Sequence, residues 1–569
     1  MLDHSPLRFV LALGVLGLAA GCGPEGAPEQ VAFCAPVLER VAAYAEAQAS
    51  AHPVPNDPRY GGTVVVAGGG DLTGGLNAFS TNDQTTQETE LHLFHVTLVR
   101  FDEGRNPEPY LAESWTLEED GTGATVRLRD DMTWHDGEPV TAEDVAFTFR
   151  TAMDPGVSFL NSGWFGPYDP EAIEVVDEHT VRLGFTPHSE VLDPWGSLPI
   201  MPAHLLADVA PDSLASHPFG TQCPVGAGPF LFEAYRPGDQ WVLAANPGFP
   251  QDLGGRPFTD RYVYRVITNS TTRAAELAAG GVDVALGLEP VDAEAVTSRD
   301  GVRLVSVDQR SFSFIGWNTR LPGLSDARVR TALTTALDRE AITRTLLGEF
   351  GTVAETGVPG FHWAFDPTLK GPAFDPDRAR AALQAAGWVD GDGDGVRENE
   401  AGDELRFALV TNPNSEREGI GRIVRDQLAD VGVAVELGVQ EMGTLQARVL
   451  TPGSRDFGGF IMGWSHDFNI NERDFFHSEA SDGHPYGWAG ISDPALDRLL
   501  DTLPSIIERD SARPLWREYQ ERIIDLQPFT YLFFPQRLNG ADGDLRGLEM
   551  DIRGELLSAA RWYWDPASR

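Results

Sequence analysis

The chain has 569 residues, with 85 acidic side chains against 43 basic ones and a formal net charge of −42. That balance sets nucleic acid and anionic membrane surfaces aside as principal partners and leaves cationic or zwitterionic ligands compatible. At 42% hydrophobic residues the chain is too apolar for disorder and too long for one core, so two or three domains are expected.

Arg8 precedes a short apolar run from Phe9 to Ala20 that ends in small residues, the layout of a secretory signal rather than of a spanning helix. The sequence Leu18-Ala19-Ala20-Gly21-Cys22 resembles the lipobox of bacterial lipoproteins. The resemblance implies that Cys22 becomes a diacylglyceryl-modified first residue, and that the protein is periplasmic or held on the outer face of a membrane by lipid alone. Cys34 and Cys223 are then the remaining cysteines, and in an oxidising compartment a disulfide between them is expected; two separate buried thiols are the alternative the sequence leaves open. From Pro36, a good first helical residue, one amphipathic helix is expected with Val37, Leu38, Val41 and Tyr44 on its apolar face.

Past the proline-rich stretch His52 to Arg59, the β-branched run Thr63 to Ala67 reads as a strand. The glycines that follow, Gly68, Gly69 and Gly70, lack the spacing and the Lys-Ser/Thr ending of a phosphate loop. Thr125 to Arg129 alternates as a hairpin strand, and Thr141 caps a helix with Glu143 and Asp144 in its first turn. A strand at Val263 to Ile267, a helix at Thr272 to Ala279 and a strand at Val282 to Ala285 form a βαβ-like unit, consistent with a mainly parallel sheet. A second lobe begins near Phe312, whose strand runs to Trp317; Ser325 then caps a helix carrying Val329, Leu333, Leu337 and Ile342. After a helix at Arg378 to Trp388, Asp390, Asp392 and Asp394 alternate before Gly395 as in the first half of a calcium loop. The twelfth position is Ala401, so a closing carboxylate falls to Glu398, Glu400 or Glu404, and a structural calcium ion and a solvated acidic turn both stay open. No other cofactor is required. A strand at Leu405 to Val410, a helix at Gly419 to Val431, a strand at Ala434 to Gly438, helices at Asp493 to Leu500 and Ser511 to Ile524, and a strand at Gln527 to Phe534 complete the chain.

Several phrases, in order, identify a relationship: Tyr60-Gly61-Gly62-Thr63, Leu111-Ala112-Glu113-Ser114-Trp115, Thr133-Trp134-His135-Asp136-Gly137-Glu138-Pro139 with Thr141-Ala142-Glu143-Asp144-Val145, and Pro224 to Phe230. Together they resemble the family 5 extracytoplasmic solute-binding proteins of ABC importers, the dipeptide, oligopeptide and nickel group. The resemblance implies an α/β two-lobed periplasmic-binding-protein fold of the type II, large peptide-binding class, with an extra subdomain and a hinge of two crossing strands. On that template residues 1–22 are a lipoprotein signal, 23–58 a tether and helix, 59–79, 227–303 and 528–569 the core of lobe I, 80–226 the extra subdomain, and 304–527 lobe II. It also implies a monomer that hands a peptide or peptide-like ligand to permease subunits, with no nucleic acid.

The stretch Asp456 to Phe468 is expected to carry the site. Its apolar run from Phe457 to Trp464 suits a buried strand that emerges at Ser465 and leaves Asp467 at the exit, where α/β layers meet ligands; a capping turn aspartate is the plainer reading. Gly463, Trp464 and Asp467 resemble the family's Gly-Trp-x-x-Asp phrase, which implies that Asp467 pairs with a peptide α-ammonium. A charge-assisted hydrogen bond of that kind gains strength in a water-poor cleft. In dipeptide-type members an arginine from the turn after an earlier strand meets the carboxylate. Here that turn is Thr411-Asn412-Pro413-Asn414-Ser415-Glu416-Arg417, and Glu416 beside Arg417 points away from strict dipeptides toward longer ligands. Asn412, Tyr486 and Trp488 join Trp464 as candidate cleft residues. His466, His477 and His484 near Asp467, Asp474 and Asp482 allow a nickel or metal-chelate carrier as the alternative, although their spacing prescribes no coordination geometry. A ligand-presenting sensor component uses the same lobes. A hydrolase is disfavoured, since no HExxH, GxSxG or SxxK motif occurs.

Overall fold

The computed structural model describes residues 28–81, 83–189, 191–466 and 470–567. The signal segment, Cys22 and Asp467 therefore lie outside the described residues. Among those described, no helix is long and apolar enough to cross a membrane.

The first element is a helix, Pro28–Ala51, that starts eight residues before Pro36 and contains it. A proline inside a helix removes one backbone hydrogen bond, and here packing and covalent attachment outweigh that loss. Val37, Val41 and Tyr44 are buried, whereas Leu38 is 41% exposed and so is not on the packed face. Cys34 and Cys223 form a disulfide with their Cα atoms 5.4 Å apart. Arg40 Nη2 donates to Asp136 Oδ2 at 2.9 Å, and His204 Nε2 lies 3.0 Å from the same oxygen, which no solvent reaches. Further along, Thr133 Oγ1 donates to the Tyr44 hydroxyl at 3.2 Å. The helix is thereby tied to the extra subdomain at both ends of its packed face.

That subdomain is built on a four-stranded antiparallel sheet in the order Ala112–Leu117, Gly123–Leu128, Thr180–Phe185, Tyr168–Asp177. Helix Ala142–Met153 covers it and is held by a capping box, in which the Thr141 amide donates to Asp144 Oδ2 at 2.8 Å.

The two lobes share one 12-stranded sheet. From the lobe II edge the order is Ala434–Val439, Arg406–Thr411, Gly459–Ser465 and Ser311–Trp317, then the long strand Phe529–Asp542. From there it runs through Val284–Leu288, Thr63–Gly68, Arg261–Val266 and Gln240–Ala245 to Phe230–Arg236. Thr63–Gly68 is parallel to both its neighbours, but the hairpin from Phe230 to Ala245 and the returning strand Phe529–Asp542 pair antiparallel, so the sheet is mixed rather than mainly parallel. In each lobe apolar side chains fill both faces of the sheet, giving two core clusters per lobe.

Phe529–Asp542 is the strand that joins the lobes. Its first half pairs with Ser311–Trp317 and Gly351–Val353, its second half with Val302–Asp308, and Pro535 stands between them. The second crossing is the short passage Gln309–Arg310 between the strands Val302–Asp308 and Ser311–Trp317. A pair of extended crossings is a hinge geometry, and the two-lobed α/β fold expected from the sequence is the one observed.

Local caps moved several helix boundaries. The cap is Asp326 rather than Ser325, and the single helix expected beyond it is two, Ala327–Thr335 and Arg339–Leu347. The break falls at Asp338, whose carboxylate accepts from the Ala341 amide at 2.8 Å and so starts a second helix. Asn414 similarly starts the helix Ser415–Ala429 four residues before Gly419.

Candidate functional site

A cavity of about 810 Å³ lies where the two lobes and the extra subdomain meet. That volume falls within the range of ligand pockets. One wall is the helix Gln84–Thr89, which passes directly into the wider π-helical turn Glu90–Phe94, together with Ile552, Arg553 and Leu557. The subdomain supplies the strand Val99–Phe101 with Arg105 from the turn after it, and the segment around Leu160 and Trp164. Lobe II contributes Arg310, then Trp464, Ser465 and His466 where the strand Gly459–Ser465 ends, then Asn471 and Asp474.

Among the described residues, five arginines (100, 105, 310, 553 and 561) and five carboxylates (88, 108, 193, 474 and 549) line this space. In a chain with roughly twice as many acids as bases, that parity marks the described lining as rich in both signs. Arg105 lies 3.6 Å from Asp193, Arg561 lies 3.1 Å from Glu549, and the Arg100 guanidinium stacks 3.7 Å from the centre of the Tyr110 ring. Glu88 is buried because its Oε2 accepts from the backbone amides of Glu555 at 2.6 Å and Leu556 at 3.1 Å. Behind it, burial pushes the Glu555 carboxyl up to about 7, although Arg537 stands 3.1 Å away and Asn539 Nδ2 donates to it at 2.6 Å. His92 Nε2 lies 3.3 Å from the Arg553 carbonyl oxygen, and burial holds that imidazole below its ordinary range.

Of the residues singled out in the sequence, Trp464 is on the cavity wall. Tyr486 and Trp488 stand behind it, edge-on to its ring at 5.5 and 5.8 Å; Trp488 is buried among Phe314, Phe460 and Phe475. They support the wall rather than form it. Gly463 and Asn412 also lie off the cavity. Asn412 Oδ1 accepts from Arg417 Nη1 at 2.6 Å, and a Cβ at Gly463 would stand 3.4 Å from Arg417 Nη2. Burial lowers the Arg417 guanidinium pKa, and Glu416 accepts from Ser313 Oγ at 3.0 Å, so this turn is occupied with its own lobe.

The three histidines do not converge. His466 lies 3.4 Å from Glu472, His477 3.4 Å from Asp501, and His484 3.8 Å from Asp474. In the acidic loop, Asp390, Asp392 and Glu398 bring one oxygen each to within 4.8 Å of one another on the surface. Asp394 is outside that group, its Oδ1 accepting from the Val396 amide at 2.8 Å. Sequence reading missed the lobe I and subdomain walls, His92, Arg100, Arg105 and Arg553 above all. Its one available signal was the Asp102-Glu103-Gly104-Arg105-Asn106 turn, which projects from a hairpin.

The profile of bacterial extracellular solute-binding proteins, family 5 Middle, matches residues 106–484. The oligopeptide-binding protein AppA of Bacillus subtilis is 28% identical over 513 residues, 89% of this chain and 92% of that protein. The solved structure of AppA from Bacillus subtilis in complex with a nonapeptide matches with a TM-score of 0.72 at 27% identity, over 89% of this chain and 100% of that one. NikZ from Campylobacter jejuni in complex with Ni(L-His) shares the fold with a TM-score of 0.71 at 22% identity, over 90% of this chain and 100% of that one.

Proposed function

The chain belongs to the family 5 bacterial extracellular solute-binding proteins, and on that footing we propose that it captures oligopeptides between its lobes and delivers them to the permease of an ABC importer. Members of this family bind solutes for ABC transporters and are not enzymes, which sets the hydrolase reading aside. The observation that carries the proposal is the cavity itself. A space of about 810 Å³ lined, among the described residues, by equal numbers of cationic and anionic side chains and by Trp164 and Trp464 suits a zwitterionic chain with mixed side chains. Its likeness to a protein whose structure was solved in complex with a nonapeptide favours oligopeptides over strict dipeptides, as does the engagement of Arg417 with Asn412.

Within this reading Asp467 takes the ligand's α-ammonium. Its support is the Gly463-Trp464-x-x-Asp467 phrase and the position of Trp464 and His466 on the wall immediately before it. Cys22 carries the lipid anchor, an assignment that the mass of the mature chain decides. The test of the ammonium contact is calorimetry with a bound peptide and its N-acetylated form. Asp467→Asn is expected to weaken the free peptide at least tenfold, about 1.4 kcal/mol, and to leave the acetylated one unchanged. Affinity for the free peptide within twofold of wild type would remove Asp467 from the site.

A further inference from the structure

Lobe II and the extra subdomain touch each other directly beside the cavity residue Arg105. Helix Arg509–Leu526 of lobe II begins with Arg509, whose Nη1 donates to the Gly104 carbonyl at 3.0 Å and whose Nη2 donates to the Arg105 carbonyl at 3.1 Å. Nearby, the Ser189 amide of the subdomain donates to the Pro504 carbonyl of lobe II at 2.8 Å. The Arg509 guanidinium also sits 5.7 Å from the centre of the Trp363 ring, a lobe II surface that steadies its orientation.

The turn it grips is an unusual one. Asp102 fixes it from inside, accepting from the Asn106 amide through Oδ1 at 2.8 Å and from the Arg105 amide through its carbonyl at 3.0 Å. Arg105 closes the turn at φ 62°, a left-handed conformation uncommon for residues other than glycine and held here by the contacts around it. The outcome is a division of labour within one residue. The Arg105 carbonyl faces lobe II, while its side chain turns back over the Phe101 ring at 4.0 Å, toward Asp193, and lines the cavity. Two successive carbonyls converging on one guanidinium match the planar fork of arginine, which an ammonium cannot imitate.

We propose that Arg509 is a positioning residue for solute capture: it latches the Asp102–Asn106 turn to lobe II, holding the lobes closed and fixing Arg105 in the cleft wall without touching the ligand. Binding is measured against an equilibrium between open and closed lobes, so a contact made only on closure strengthens retention of any solute that fits. The latch rests on the reading of the cavity as the solute site, and it predicts slower release rather than faster capture.

The experiment compares wild type with R509Q, R509K and the control R498Q, a surface arginine of lobe II paired with Glu518. A peptide selected from a random nonapeptide pool serves as probe in stopped-flow measurements. R509Q is expected to release it about tenfold faster with association within twofold, R509K to recover little of that loss, and R498Q to match wild type. Release from R509Q within twofold of wild type overturns the latch, as does full rescue by lysine, which would reduce the contact to net charge. Should the wild type bind no peptide, the peptide reading falls, and small-angle scattering of the ligand-free chains decides the latch. A larger radius of gyration for R509Q than for wild type and R498Q supports it, and equal radii overturn it.

Discussion

Glu555 sits where the cleft wall meets the strand that joins the lobes, and it shows how one side chain carries a pH dependence. Burial raises its folded pKa to about 7 from an ordinary 4.5, with the neighbouring Glu88 acting in the same direction and Arg537 against it. A carboxyl raised in this way holds its proton more tightly in the folded chain. Stability is therefore lost as pH climbs from about 4.5 through about 7, the unfolded chain ionising first. Glu555→Gln keeps the oxygen that accepts from Asn539 and removes the titration. Thermal melts from pH 5 to pH 8 are expected to fall less steeply for E555Q, by on the order of 1 to 3 kcal/mol, and identical slopes for the two proteins would contradict the assignment. Other side chains of the site differed in how legible they were. Trp464 could be found from sequence because an apolar run of strand length fixes where its chain leaves the core. His92, Arg100 and Arg553 could not, since they come from a π-helical turn, an edge hairpin and the C-terminal segment, and no single periodicity links them.

At the scale of the element, the amino-terminal helix illustrates what pattern reading captures and what it leaves out. The apolar positions Val37, Val41 and Tyr44 announced a packed face, but the start was misplaced because Pro36 was read as a first-turn residue when tertiary contacts tolerate it inside. The same limit applied at Asp338 and Asn414, where one carboxylate or amide side chain decides a boundary that periodicity blurs. The helix owes its place to a disulfide spanning 189 residues and to the buried Asp136, which accepts from Arg40. Closing a loop of that length removes much unfolded-state entropy, up to about 5 kcal/mol in the chain-entropy model. Replacing both cysteines by serine, or adding reductant, is therefore expected to lower the subdomain's calorimetric transition by roughly 5 to 15 °C. A thermogram indifferent to reductant would show that the helix is held by packing alone.

Considered whole, the molecule is organised on one 12-stranded sheet that both lobes share. Phe529–Asp542 gives its first half to lobe II and its second to lobe I, with Pro535 between, so the lobes are joined by a covalently continuous strand and by the shorter passage through Gln309 and Arg310, a hinge geometry. The two-lobed α/β fold was legible because family phrases mark it along the chain; the mixed sense of the sheet was not, since strand direction depends on which distant strand the chain returns to. The net charge of −42 dominates the sequence, whereas the described residues lining the cleft include cations and anions in equal number. Native mass spectrometry of the mature protein, purified from its host without refolding, tests that account most directly by weighing both the chain at Cys22 and the solute it carries. The account predicts a ladder of bound masses spaced by amino-acid residues; a single discrete small molecule, or a nickel-containing species, would contradict it.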